Sequence, residues 1–381
     1  MRLYEYQAKD VFRSYGIPVP KGYLVQEKNQ VGDRFKSVKT KDGVVIKAQV
    51  LAGGRGKAGG VKFAHTPDEA SALVERMKSL EIGGYKVFAV LLEEKVPVQQ
   101  ELYLGFVIDP VLGIPTLLAS SRGGMDVEEI ARVFPQFLGK MEVDSAYGIL
   151  DYKVRETLTR VGVPKNLFGQ FITISRRLYE IFLDYEAILI EINPLIVNEE
   201  GNLVAADARM SLDDAAVFRR QKLKELRDSR EKSLEEHLRD DYQLEFVDLE
   251  GNIGLVSGGA GMTMTAMDLI SLEGGKPACF MDCSANVSPE GYEVALRTVS
   301  SKKGVSSILV NIFGGLTRMD HVGKYLVEAI KKIGNIQQPI TIRLEGTNAE
   351  TGRKTVEEAG FQCYVTFEEA VKKAVELGRA S

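Results

Sequence analysis

Cysteine and histidine are scarce, with three of each in 381 residues. Cys279, Cys283 and Cys363 are odd in number and lack the paired spacing of a zinc site. A disulfide framework and a structural metal cluster are therefore excluded, and reduced, packed thiols are expected. Long apolar runs are missing too, none reaching the roughly 18–20 residues that cross a bilayer, so no membrane segment is expected. The opening M-R-L-Y-E-Y-Q-A-K-D has no apolar stretch leading to a small-residue cleavage site, and a cytoplasmic setting is expected. Excess positive charge is also absent. A net charge of −4 gives no general attraction for nucleic acid, so any cationic cluster has a local purpose.

What is present is a globular composition, 44% hydrophobic and 27% charged, in a chain long enough for two or three domains. Residues 1 to about 218 mix short β-rich runs, such as 87–92 and 187–192, with helical stretches such as 67–77, an α+β or α/β pattern. Residues 219–241 are a dense mixture of both charges without glycine, which predicts a solvated helical connector. Domains are expected at 1–238 and 239–381. The second half alternates strands (251–256, 278–281, 307–312, 339–344, 362–365) with helices, beginning with a turn at 257–261 and a helix over 262–272. That order implies right-handed βαβ units and a flavodoxin-like, doubly wound parallel sheet. Ligands of such sheets gather at the carboxyl ends of the strands, where S-G-G-A-G, D-C-S-A-N, F-G-G-L-T-R and E-G-T-N all fall.

The strongest chemical signal is V-V-I-K-A-Q-V-L-A-G-G-R-G-K-A-G-G, residues 44–60. Glycines at 53, 54, 56, 59 and 60 let main-chain N–H groups approach an anion, and Lys47, Arg55 and Lys57 can neutralise it. The spacing matches neither G-x-x-x-x-G-K-[ST] nor a G-x-G-x-x-G turn opening a helix, so this is a polyphosphate grip of another kind. Further on, E-I-N-P and A-D-A-R flank a hairpin with its turn at 200–202, which predicts Asn193 and Asp207 on neighbouring strands. An amide and a carboxylate oxygen suit Mg²⁺, which fills its other positions from water and phosphate. L-L-E-E-K-V-P and Q-E-L-Y-L-G, holding Glu93, Val96 and Glu101, offer a strand edge for a base and ribose.

In order along the chain, Y-E-Y-Q-A-K, K-A-Q-V, G-G-R-G-K-A-G-G, E-L-Y-L-G, S-R-G-G-M-D-V-E-E-I-A, E-I-N-P-L, A-D-A-R-M-S-L-D-D-A-A-V-F-R, E-G-N-I-G, G-A-G-M, L-V-N-I-F-G-G and R-L-E-G-T-N-A-E-x-G resemble the β subunit of succinate–CoA ligase. The resemblance runs nearly from end to end and implies an ATP-grasp domain before the flavodoxin-like one. It also implies an acid–CoA ligase working through a phosphohistidine. In that family the histidine and most of the CoA site belong to an α subunit, and His65, His237 and His321 lie in no such motif here. An α partner, as αβ or α2β2, is therefore implied, with Mg²⁺ and ATP/ADP on this chain and a small carboxylic acid as co-substrate. No role for nucleic acid or membrane is implied.

Carried over by motif, Lys47, Gly54, Arg55 and Gly56 meet nucleotide phosphates. Glu93, Val96 and Glu101 line base and ribose, and Asn193 and Asp207 hold magnesium. Gly258, Gly315, Leu316 and Thr317 serve the acid and phosphohistidine end. Two departures fall at that end: Gly258 stands where the family usually has asparagine, and M-D-C-S-A-N-V-S replaces a glycine-rich loop. Cys283, Ser284, Ala285 and Asn286 add side-chain volume there. Succinate is the leading acid, with a malyl-CoA or citryl-CoA ligase subunit as the alternative and a stand-alone ATP-grasp carboxylate ligase as a more distant one.

Overall fold

The structure, a computed structural model, describes residues 1–228, 232–283 and 287–380. By contact the chain divides into Met1–Arg230 and Glu231–Ser381.

The first unit is built on two antiparallel sheets. The smaller runs in the order Gly22–Val25, Ala89–Glu94, Val44–Gln49, Val61–Ala64. Its β-branched strand Val44–Gln49 is central and almost wholly buried, with helices covering it. One of them, Pro67–Lys78, opens with proline in its first turn and with the Thr66 hydroxyl accepting the Glu69 N–H, and buries Ala70, Val74 and Met77 at helical spacing. The larger sheet runs Leu203–Ala205, Ala187–Val197, Gln100–Ile108, Pro115–Ser120, Leu138–Glu142, with Arg209–Leu212 also paired to Ala187–Val197. Helix Phe168–Asp184 lays Phe171, Leu178 and Phe182 into its core. The first helix, Glu5–Ser14, anchors Ala8, Val11 and Phe12 in that same core, while Glu5 and Lys9 reach the strands of the smaller sheet.

In the second unit the sheet order is Leu244–Asp248, Cys279–Cys283, Ile253–Ser257, Ser307–Gly314, Ile340–Gly346, Cys363–Tyr364. The last five strands pair in parallel and follow the flavodoxin-like order 2-1-3-4-5. Leu244–Asp248 is an added antiparallel edge strand that the sequence reading did not identify. Its alternation of Leu244 and Phe246 with exposed Glu245, Val247 and Asp248 places only two side chains in the core.

The charge run 219–241 is not one connector. Helix Gln221–Asp228 buries Leu223 in the first unit. Helix Leu234–Tyr242, started by a Ser233–Glu236 capping box, buries Leu238 in the core of the second. The expected boundary at 238/239 would cut through that helix, because an amphipathic helix so rich in charge shows its single buried leucine only in three dimensions. Among the described residues, no helix is long and apolar enough to cross a membrane.

Helices Met319–Ile333 and Ala349–Glu358 meet where a Cβ on Gly323 would lie 2.7 Å from Gly352 O, and one on Gly352 would lie 2.2 Å from Met319 O. Gly352→Ala must push backbone apart. We expect it to lower stability by about 1–3 kcal/mol, the usual penalty of overpacking; an unchanged thermal unfolding curve would contradict this contact.

Candidate functional site

The two sheets of the first unit border a cleft of about 390 Å³, with the 50–57 loop on one wall and Asn193, Asp207 and Arg209 on another. The loop turns back between strands Val44–Gln49 and Val61–Ala64 through Gly60 N–H to Arg55 O at 2.9 Å and Ala48 N–H to Gly60 O at 2.8 Å. Gly54 and Gly59 hold positive φ, which side chains would strain. Among the described residues, the amides of Gly53 through Lys57 donate to no protein acceptor. Five free N–H groups on a cleft wall are what a phosphate needs.

Behind the loop lies a buried charge cluster. Glu5, 5% exposed, meets Arg55 at 2.5 Å, Lys9 at 2.8 Å and Lys47 at 2.9 Å. Lys9 also holds both oxygens of Glu93 at 2.7 Å, and Lys47 meets Glu93 at 3.0 Å. Both ammonium groups donate to the carbonyl of Ala206. Arg55 reaches on to Asp207 Oδ2 at 3.0 Å. Three cations thus face three carboxylates. Burial alone would raise the Glu5 carboxyl, but Arg55, Lys47 and Lys9 together hold it well below the usual range. Burial and the nearby Glu5 carboxylate push Asp207 the other way, upward, against the pull of Arg55 and Lys47.

Antiparallel register carries Asn193 and Asp207 together. Leu195 pairs Ala205, Glu191 pairs Arg209, and Ala206 N–H donates to Pro194 O at 3.2 Å, so Asn193 stands opposite Asp207. Asp207 itself lies between strands Leu203–Ala205 and Arg209–Leu212, not on one, at a register shift of the central strand between Ile192 and Leu195. Asn193 Oδ1 accepts from Gly124 N–H and its Nδ2 donates to Met125 O, each at 2.8 Å, which draws the 121–126 loop onto the cleft. Two hard oxygens, with no thiol or imidazole among the described residues of the cleft walls, fit Mg²⁺. Among the described residues no three His, Cys, Asp or Glu side chains form an all-protein cage. An ion held by Asn193 and Asp207 would therefore draw its remaining ligands from water and phosphate.

The sequence-derived residues divide accordingly. Gly54, Arg55, Gly56, Asn193 and Asp207 line the cleft, and Lys47 sits one ion pair behind it. Glu93 is 1% exposed and committed to Lys9 and Lys47, so its carboxylate faces inward and not to an open edge. Val96 is half-buried and Glu101 exposed, both off the walls of this cleft. Sequence reasoning missed Glu5 and Lys9, whose i, i+4 spacing resembles any surface pair on a helix. It also missed Glu191, which accepts from Tyr103 Oη and Arg209 at 3.0 Å each and joins the cleft wall.

In the second unit Gly258, Gly315, Leu316 and Thr317 line one hollow of about 250 Å³. The four expected loops do meet. Gly259 N–H donates to Asp282 at 2.6 Å and Thr347 Oγ1 to Gly315 O at 2.7 Å, and a Cβ on Gly346 would stand 2.2 Å from Gly314 O. A Cβ on Gly258 would make ordinary contact, 3.4 Å from Ile312, so glycine there is a choice of space and not of backbone. Ser284, Ala285 and Asn286 of the altered loop lie outside the described residues. Burial raises the thiols of Cys279 and Cys363 to about 11, and that of Cys283 upward as well, so all three are protonated at neutral pH.

An ATP-grasp domain profile matches residues 2–197 and a CoA-ligase profile matches 256–377. The succinate–CoA ligase (ADP-forming) subunit beta 2 of Archaeoglobus fulgidus is 42% identical over 383 residues, covering 99% of each chain. The chain belongs to the succinate–CoA ligase β-subunit family. A probable malate–CoA ligase subunit beta of Mesorhizobium japonicum is 38% identical over 390 residues, covering 100% of this chain and 98% of the relative. An ATP citrate lyase from Methanothrix soehngenii, solved with citrate and coenzyme A, superposes with a TM-score of 0.71 over 98% of this chain and 99% of its own at 21% identity, a likeness of fold. Within this β-subunit family member, the cleft is thus in the ATP-grasp half and the hollow in the CoA-ligase half.

Glu5→Gln leaves three buried cations with two carboxylates, and we expect a loss of about 3–5 kcal/mol at pH 7. Because folding lowers the Glu5 pKa, its contribution is present above the unfolded value of roughly 4.3 and fades as pH falls below it. In urea unfolding the gap between wild type and Glu5→Gln should narrow from pH 5 to pH 3; a gap that widens would reverse the assignment.

Proposed function

We propose that this chain is the nucleotide-binding β subunit of an ADP-forming acid–CoA ligase, with succinate as the acid. It works with an α subunit that carries the phosphohistidine and most of the CoA site. One observation carries the reading: a glycine loop with five unpaired amides, two cations held behind it, and the Asn193–Asp207 oxygen pair all face one cleft. The names of relatives matched along the whole chain support the acid–CoA chemistry.

On this reading the Gly53–Lys57 amides bind the polyphosphate of ATP while Lys47 and Arg55 neutralise it. Asn193 and Asp207 would hold Mg²⁺, which would supply positive charge against that developing on the phosphate. Arg55 is shared between Glu5 and Asp207, so its guanidinium would turn from Asp207 toward phosphate without being stranded: Glu5 still holds the other nitrogen. The chain therefore positions and neutralises, and the attacking nitrogen comes from the partner. At the other end, Gly258, Gly315, Leu316 and Thr317 receive the acid and the phosphorylated segment of the partner. Malate is the second reading, favoured by the space that Gly258 leaves beside Ile312. Location in the cytoplasm belongs to the same proposal.

Asp207→Ala should cut Mg²⁺-dependent phosphorylation of the α subunit by about a hundredfold or more while co-purification of the two chains persists. Near-normal labelling from γ-labelled ATP would refute the metal assignment.

A further inference from the structure

We propose that the hydroxyl of Tyr292 hydrogen-bonds the carboxylic acid in the hollow of the second unit and so helps to determine which acid is accepted, an inference that rests on the acid–CoA ligase reading above. The hollow lies where strands Ile253–Ser257 and Ser307–Gly314 are neighbours, with Gly258–Gly259 following the first and Gly315–Thr317 the second. From the first strand the chain crosses to Cys279–Cys283 on one side, and from the second to Ile340–Gly346 on the other. That divergence opens a crevice at the carboxyl ends, the place where sheets of this order take ligands.

Tyr292 comes from helix Pro289–Ser301 and lines this hollow although it is only 2% exposed. Its ring is fixed in the core against Tyr325, centroid to centroid 6.3 Å. Its ring is buried, and its hydroxyl donates to no protein acceptor among the described residues. Burial, with Cys283 and Tyr325 nearby, raises its pKa, so the group is a neutral donor throughout the physiological range.

The remaining walls specify the ligand class. Among the described residues, no Lys, Arg, His, Asp or Glu lines the hollow. The amides of Gly315, Leu316 and Thr317 donate to no protein acceptor among the described residues. Ile312, Phe313 and Leu316 supply apolar surface. Free amides and a phenol suit a carboxylate, and an apolar wall suits the methylenes behind it, so a short dicarboxylic acid fits. A nucleotide or a sugar would leave that apolar surface against polar groups. Tyr292→Phe removes one oxygen and leaves ring, volume and core packing in place.

The test uses the complex of this chain with its α partner, assayed for acyl-CoA formation from Mg²⁺-ATP, CoA and succinate, malate or citrate. Tyr292→Phe is expected to raise KM for the preferred acid by about tenfold or more, the loss of one hydrogen bond to a charged group. KM for ATP, phosphorylation of the α subunit and the melting temperature should stay as in wild type, a split that a purely structural tyrosine would not produce. An unchanged KM for the acid in Tyr292→Phe overturns the inference and leaves the acid–CoA ligase reading standing. A wild-type complex that forms no acyl-CoA from any of the three acids overturns that reading, and this inference with it.

Discussion

One buried carboxylate, Glu5, organises the first unit. It is placed by a helix whose apolar face belongs to the core of the larger sheet, yet its three partners come from its own helix, from the central strand of the smaller sheet and from the glycine loop. Taking a carboxylate out of water costs several kcal/mol. Only the simultaneous presence of Lys9, Lys47 and Arg55 offsets that. The same contacts fix where the two cations nearest the cleft can stand, so the electrostatics that stabilise the unit also orient its binding groups.

The balance of three cations and three carboxylates has an electrostatic consequence. Cations alone would repel one another; here Glu5, Glu93 and Asp207 neutralise them. Asp207 is the most accessible of the three carboxylates, its side chain 36% exposed against 3% for Glu5 and 2% for Glu93. It is therefore the carboxylate of the three most open to solvent. The second unit offers the opposite: among the described residues, its hollow has no charged wall.

Much of this was legible in the sequence. Loops at strand ends in the second half announce themselves because glycine and small polar residues interrupt β-branched runs, and the parallel order followed from alternation alone. The glycine loop and the Asn193–Asp207 pairing could be read because hairpin register is set by the turn at 200–202. What escaped was long-range. Glu5 and Lys9 carry the spacing of an ordinary solvated helix pair, and nothing local reveals that both are buried. Glu93 reads as the polar end of a strand, whereas its place opposite Val45 and beside Lys9 turns it inward. Leu244–Asp248 escaped because an edge strand buries only alternate residues, and Leu238 because one leucine in a charged helix carries no periodicity. Tyr292 reads as any aromatic on a helix, and only the fold sets it on the wall of a hollow.

A cleft that grips Mg²⁺-ATP would do so through the cation that Glu5 and Asp207 share, Arg55. Calorimetric titration of Mg²⁺-ATP into the purified chain, wild type against Arg55→Met, tests this directly, since Lys9 and Lys47 remain to compensate Glu5. Binding by wild type, weakened about tenfold or more in the variant as expected for a lost charge-assisted contact, is the predicted result. Equal affinity in the two proteins, with folding unchanged, would contradict it.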